Sequence, residues 1–132
     1  SISWGNAVRL LLDTHVVLWW MDDPRVASDE ARRSITDPKN DVFVSAAAAW
    51  EITIKKSLGK LEAPDDLEDA IKDARFETLP ITVRHALEVQ HLPPIHQDPF
   101  DRIQIAQAIY EDLTLVTRDA RIFAYDVRTL EA

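Results

Sequence analysis

The stretch Val8-Arg9-Leu10-Leu11-Leu12-Asp13-Thr14-His15 sets the reading of the whole chain. Its leucine run offers no polar face, so it reads as a strand buried on both sides of a sheet. It ends in one carboxylate, Asp13, and gives way to a short apolar helix, Val16 to Met21, stopped by Asp22-Asp23-Pro24. In open α/β sheets the ligand crevice lies beyond the carboxyl ends of the strands, which is where Asp13 would stand. A function at that edge calls for further acids there, and the rest of the chain supplies candidates.

Outward from this strand the same alternation repeats. Ser28 reads as the cap of a helix with Asp29 and Glu30 in its first turn, ending before the turn Asp37-Pro38-Lys39-Asn40. Asp41 to Ser45 is a short strand running into an alanine-rich helix, Ala46 to Leu58, broken near Gly59. Pro64-Asp65-Asp66-Leu67 opens the next helix, with the proline at or near its first position, reaching about Phe76. Glu77 to Ile81 is a weaker strand, followed by a helix from about Thr82 to Gln90 and a proline-containing loop, His91 to Gln97. Asp98 starts a helix through about Glu111, with Ile105, Ala108 and Ile109 on one face. Leu113 to Thr117 is a further strand, Ala120 to Tyr125 a helical turn, and Val127 to Leu130 an edge strand. The alternation predicts an α/β fold: an α/β/α sandwich whose short, mostly parallel sheet of four or five strands is joined by right-handed crossovers.

The bulk properties narrow the class. A chain of 132 residues with 46% hydrophobic and 29% charged residues fits a single domain with a core of its own. Residues 1–8 read as an upstream extension ahead of a domain over 9–132. No apolar run approaches the ~20 residues of a membrane span, and no signal-peptide pattern opens the chain, so no membrane partner and a cytoplasmic location are expected. The absence of cysteine excludes disulfides and thiolate chemistry. Two glycines leave no phosphate-cradling loop, no serine sits in a nucleophile elbow, and the histidines lack zinc spacing. A net charge of −8 argues against a nonspecific nucleic-acid coat. It remains compatible with a nucleic-acid enzyme whose acids surround bound cations.

Each acid at the sheet edge has an ordinary reading beside a chemical one. Asp13 and Asp119 sit where helix caps sit, although Thr14 could cap equally well. Asp98, Pro99 and Asp101 form a well-built helix start. Glu51 lies among small and apolar neighbours, with Lys55 available as an i,i+4 partner. Taken together, Asp13, Glu51, Asp101 and Asp119 fall at strand carboxyl ends or in the first turns of the helices beyond. Four carboxylates in one place repel, and divalent cations are the natural compensation. An all-oxygen donor set favours Mg²⁺ or Mn²⁺ over Zn²⁺. Among the histidines, His96 is placed to orient Asp98 or contact phosphate, His15 reads as capping or packing with a substrate contact as the other reading, and His85 and His91 read as structural.

Four segments then resemble a known family: Leu10 to His15, Glu51-Ile52 with Lys55, His96-Gln97-Asp98-Pro99-Phe100-Asp101-Arg102, and Leu115-Val116-Thr117-Arg118-Asp119. In order and spacing they resemble the PIN-domain ribonucleases, and among them the VapC-type toxins of bacterial toxin–antitoxin pairs. The resemblance implies a metal-dependent endoribonuclease that cleaves RNA phosphodiester bonds with an activated water, using one or two Mg²⁺ or Mn²⁺ ions. It assigns Asp13, Glu51, Asp101 and Asp119 as catalytic metal ligands, with Asp98 an additional ligand or an outer support. Thr117 matches the hydroxyl commonly found beside the fourth acid. The resemblance also implies an RNA substrate, a cognate VapB-like antitoxin lying over the site, and a homodimer. Thr14, Lys55, Arg102, Thr117 and Arg118 are candidates for substrate contacts, with charge balancing the ordinary reading of the cations. The exposed parts of Trp19, Trp20, Trp50 and Phe123 are candidates for a partner interface. Rival readings are a nuclease acting on other RNA or DNA outside a toxin–antitoxin pair and a catalytically idle binding module. A phosphoacceptor domain fits less well, since it would want an acid pair after the first strand and a lysine after the last.

Overall fold

The structure is a computed structural model that describes residues 7–132. The expectation that residues 1–8 form an extension therefore lies, for residues 1–6, outside the described residues. Five strands, β1 (Arg9–Leu12), β2 (Asp41–Ser45), β3 (Glu77–Leu79), β4 (Thr114–Thr117) and β5 (Thr129–Glu131), form one sheet. Its order is β3-β2-β1-β4-β5, with every neighbouring pair parallel. The leucine strand is central, and Leu10, Leu11 and Leu12 are 1%, 0% and 0% exposed.

Side chains of that strand point alternately to two cores. Leu10 and Leu12 pack with Val16 and Val17 of α1 (Thr14–Asp22), Ala31 and Ile35 of α2 (Asp29–Thr36), Ile52 of α3 (Ala46–Ser57) and Ile71 of α4 (Leu67–Asp73). Leu11 enters the opposite core with Leu115 and with Ile105 and Ala108 of α6 (Pro99–Glu111), beside which packs α5 (Val83–Glu88). The expected α/β/α sandwich is thus present, with all five strands parallel.

Several boundaries differ from the sequence reading for identifiable reasons. Pro64 does not open α4: the helix begins at Leu67 under an Asp66 cap, whose side chain accepts from the Asp69 N–H. The Pro64 carbonyl and the Asp65 carboxylate instead accept from Lys56 Nζ at 3.0 and 2.9 Å, strapping this segment to α3. α4 stops at Asp73 because Arg75 turns left-handed at φ 64°. α3 ends where Gly59 adopts φ 71°, with the Gly59 and Lys60 N–H groups returning to the carbonyls of Lys56 and Lys55. The helical turn expected over Ala120 to Tyr125 contracts to Ile122–Ala124, and the edge strand shifts to Thr129–Glu131.

α6 departs most from its apolar pattern. Ile109 is 40% exposed, whereas Gln104 and Gln107 are buried. Both amides are braces. Gln104 Nε2 donates to Thr14 Oγ1 at 3.2 Å, joining α6 to the first turn of α1. Gln107 accepts from Ser45 Oγ at 2.6 Å and donates to the Pro80 carbonyl at 3.3 Å, joining α6 to the ends of β2 and β3. Replacing Gln107 by Ala opens space and takes the partner from the buried Ser45 hydroxyl and from the Pro80 carbonyl. Urea unfolding of Gln107→Ala is expected to show a loss of about 2–4 kcal/mol with an unchanged denaturant slope.

Candidate functional site

The chain runs outward from β1 through β2 to β3, then crosses back to β4 on the other side of β1. That reversal opens a crevice between the carboxyl ends of β1 and β4. Asp13 stands in it, 3% exposed. Its Oδ1 accepts from the Val16 N–H at 2.9 Å, so Asp13, not Thr14, caps α1. Its Oδ2 accepts a short hydrogen bond from Thr117 Oγ1 at the end of β4. The same hydroxyl accepts from the Asp119 N–H at 3.1 Å, linking the acids that follow the two strands. Burial pushes the Asp13 carboxyl above its ordinary pKa, against the opposing pull of the Thr117 and Val16 hydrogen bonds.

Glu51 reaches the crevice from the second turn of α3, whose small residues Ala47 and Ala48 are fully buried. Its Oε2 takes the expected partner, Lys55 Nζ, at 2.7 Å. Its Oε1 is buried and has no hydrogen-bond partner among the described residues. A carboxylate oxygen left in that state is costly, since buried polar atoms are nearly always paired.

The α6 terminus supplies two more acids. Asp98 Oδ1 accepts from the N–H groups of Phe100 and Asp101 at 2.8 and 3.3 Å, with Pro99 in the first turn. The capping reading of Asp98 is therefore right, and it is also what aims Asp101. Burial, then the charge of Asp98, push the Asp101 pKa up to about 6; Glu51 and Asp13 add to the shift and His96 opposes it. The acids are thus within Coulombic reach of one another, as Asp119 is of Asp13.

His96 is buried between two of these acids. Its Nε2 lies 2.8 Å from Asp101 Oδ2 and 3.1 Å from Asp119 Oδ2, while its Nδ1 accepts from the Asp98 N–H at 3.2 Å. With Nδ1 an acceptor, the ring proton is assigned to Nε2, which donates to the two carboxylates. A protonated nitrogen has no lone pair for a metal. His96, Asp101 and Asp119 place donor atoms within 4.8 Å of one another, and in this hydrogen-bonding pattern His96 orients the acids.

Asp119 ends the set. Partial burial resists its ionisation, but bonds from the Arg121 side chain and N–H and from His96 outweigh it and hold its pKa below the ordinary value. Arg121 grips both oxygens, Nε to Oδ1 at 3.2 Å and Nη2 to Oδ2 at 3.1 Å. His96 meets Asp98 as its place in the sequence suggests, but its bonds to Asp101 and Asp119 and the role of Arg121 were not expected; the only signal for Arg121 was its short spacing from an acid.

The fold therefore gathers Asp13, Glu51, Asp98, Asp101, Asp119, Thr117 and Lys55. It puts the other substrate-contact candidates to different use. Thr14 is buried and accepts from Gln104. Arg102 donates to the carbonyls of Val89, Leu92, Pro93 and His96 and to the Tyr125 hydroxyl, pinning the loop that carries His96. Arg118 donates to the carbonyls of Ala132 and Val26, both at 2.9 Å, and lies 4.3 Å over the Trp19 ring. In these three residues the donors or acceptors are already engaged in bracing the fold. His85 is structural as expected: it is buried in the capping box of α5. A separate depression between α3 and α4, lined by Ala49, Thr53, Leu67 and Ile71, contains none of the clustered acids.

The raised pKa of Asp101 has a stability consequence. A carboxyl with a folded pKa near 6 and an ordinary unfolded value destabilises the fold above about pH 6. The penalty disappears as pH falls toward 4. In metal-free buffer at pH 7.5, Asp101→Asn is expected to be more stable than wild type by about 1–2 kcal/mol, after allowing for solvent screening. Denaturation at pH 4 should show the difference gone.

Comparison with known proteins agrees with this architecture. A model of the PIN domain matches residues 10–127. Ribonuclease VapC16 of Mycobacterium tuberculosis is 41% identical over 68 residues, an alignment covering 48% of this chain and 48% of that protein. The match thus spans about half the length of that relative. Among solved structures, VapBC2 from Rickettsia felis bound to a promoter DNA fragment superposes with a TM-score of 0.71 at 14% identity, covering 93% of this chain and 98% of that one. A toxin–antitoxin complex from Klebsiella pneumoniae gives a TM-score of 0.63 at 18% identity, with coverages of 92% and 96%. At such identities the structures bear on the fold, which they share across nearly their full length. With the family model spanning all but the ends of the chain, and the leucine strand, reversed sheet and carboxylate edge in place, the chain belongs to the PIN-domain family.

Proposed function

We propose that this chain is a metal-dependent endoribonuclease, the toxin of a toxin–antitoxin pair. The single observation that carries the nuclease reading is the buried Oε1 of Glu51, without a hydrogen-bond partner among the described residues, on a carboxylate that repels Asp101. A fold that merely capped its helices with Asp13 and Asp98 would gain nothing from burying Glu51 beside them. Hard oxygen donors with no thiolate suit Mg²⁺ or Mn²⁺, one ion or two. Asp13 and Asp101 would hold the cation directly, Glu51 and Asp119 would complete or orient the set, and Asp98 would be an additional ligand or support. When bound, the ion supplies Lewis-acid polarisation of the phosphate and eases ionisation of the attacking water.

The chain's own residues do the rest. Thr117 fixes Asp13 and His96 fixes Asp101 and Asp119, so the carboxylates are set before any substrate arrives. Lys55, 39% exposed in its side chain, would be a cation at the rim for a phosphate if Glu51 held a metal. The VapC16 name supports an RNA substrate, and the toxin–antitoxin assemblies among the structural neighbours support a VapB-like antitoxin as partner. The same reading lays that antitoxin over this edge and makes the toxin a homodimer in the cytoplasm. Among the described residues no helix is long and apolar enough to cross a membrane.

Purified protein incubated with single-stranded RNA and Mg²⁺ or Mn²⁺ is expected to cleave it. EDTA or Asp13→Asn should reduce the rate at least about 100-fold. Cleavage that persisted under both conditions would show that the carboxylates are not the reacting centre. Matched DNA in the same assay separates the ribonuclease from a nuclease of other substrate.

A further inference from the structure

The largest aromatic residue near the acids is the one least used by the core. Trp50 directly precedes Glu51 on α3 and is 61% exposed. It is not a loose side chain. Its ring meets that of Phe100 at 5.2 Å and 78°, an edge-to-face contact. Phe100 in turn directly precedes Asp101, and its N–H is held by Asp98 at 2.8 Å. Two helices thus each place an aromatic one residue before an acid of the cluster, and the two aromatics brace each other at its rim.

Charge gives this pair a purpose. Nucleic-acid affinity ordinarily comes from Lys and Arg on phosphates. This chain carries −8, and apart from Lys55 the arginines named around the acids are committed: Arg121 to Asp119, Arg102 and Arg118 to backbone carbonyls. A polyanion brought to such a face needs attraction that does not depend on net charge. Stacking of an unpaired base on an aromatic ring supplies it, and any base can do it.

We propose that Trp50, held by Phe100, is a nucleobase-stacking site that seats an unpaired nucleotide of single-stranded RNA beside the acid cluster. The proposal rests on the nuclease reading above and deepens it: the substrate is unpaired at the site. Trp50 touches the substrate base and leaves the reacting phosphate to the acids. A peptide side chain or a second copy of this chain would be the competing occupants of the ring.

The test is steady-state cleavage of a labelled, unstructured RNA of about 15 nucleotides in Mn²⁺ across several salt concentrations. It compares wild type with Trp50→Ala, Trp50→Leu and Trp50→Phe, and follows the sedimentation of each protein. Trp50→Ala is expected to raise KM roughly 5- to 100-fold with the slope of affinity against salt unchanged, because no phosphate contact is lost. Trp50→Leu should behave like Trp50→Ala, and Trp50→Phe should recover most of the loss. Sedimentation should not change. A wild type that cleaves no RNA overturns the nuclease reading beneath the proposal. A wild type that cleaves, with Trp50→Ala within about twofold of its KM, overturns the stacking site alone. Altered sedimentation with unchanged KM assigns the ring to self-association, and equal rescue by Leu and Phe assigns it to apolar bulk; either result overturns the proposal.

Discussion

Mutual repulsion among carboxylates is the constraint on which the rest of this structure depends. Asp101 is raised to about 6 by burial and by the charges of Asp98, Glu51 and Asp13, and Asp13 is raised by burial with Asp119 adding to it. Left to relax, such a set would turn outward into water. It is held instead by bonds that each constrain one oxygen: Val16 and Thr117 on Asp13, Lys55 on Glu51, His96 on Asp101, and His96 and Arg121 on Asp119. The fold stores a local cost that a cation would relieve.

What holds the acids is the sheet and two buried glutamines. Parallel pairing of β1 with β4 sets Leu12 opposite Val116, so Asp13 and Thr117 follow as neighbours. Gln104 fixes α6 to α1 and Gln107 fixes it to β2 and β3, which determines where the α6 terminus presents Asp98 and Asp101. Arg102 fastens the loop so that His96 meets the acids. These braces lie within a few residues of the acids they serve, a compact arrangement for a domain of this length.

The leucine strand, the alternation and the four separated acids were legible because each rests on local pattern: burial on both faces, turn residues, and carboxylates just past strands. The capping role of Asp98 was equally legible, since Pro99 and Asp101 follow at the right positions. Other features depend on which segments meet. Nothing near Gln104 or Gln107 marks them as interior, and the helix pattern favoured Ile109, which proved exposed. Arg102 and Arg118 looked like phosphate contacts because they adjoin acids in sequence. In space their guanidinium groups turn to carbonyls of distant loops. The His96 clamp required Asp101 and Asp119, eighteen residues apart in sequence, to converge on one ring.

That Glu51 completes one cation site with Asp13 and Asp101, rather than making a private pair with Lys55, is the centre of this account. Titration of metal-free protein with Mn²⁺, followed by electron paramagnetic resonance of the free ion, tests it most directly, with Glu51→Gln beside wild type. Wild type is expected to bind Mn²⁺ and Glu51→Gln to bind about 10- to 100-fold more weakly while its fold is retained. Equal Mn²⁺ affinity in the two proteins would contradict it.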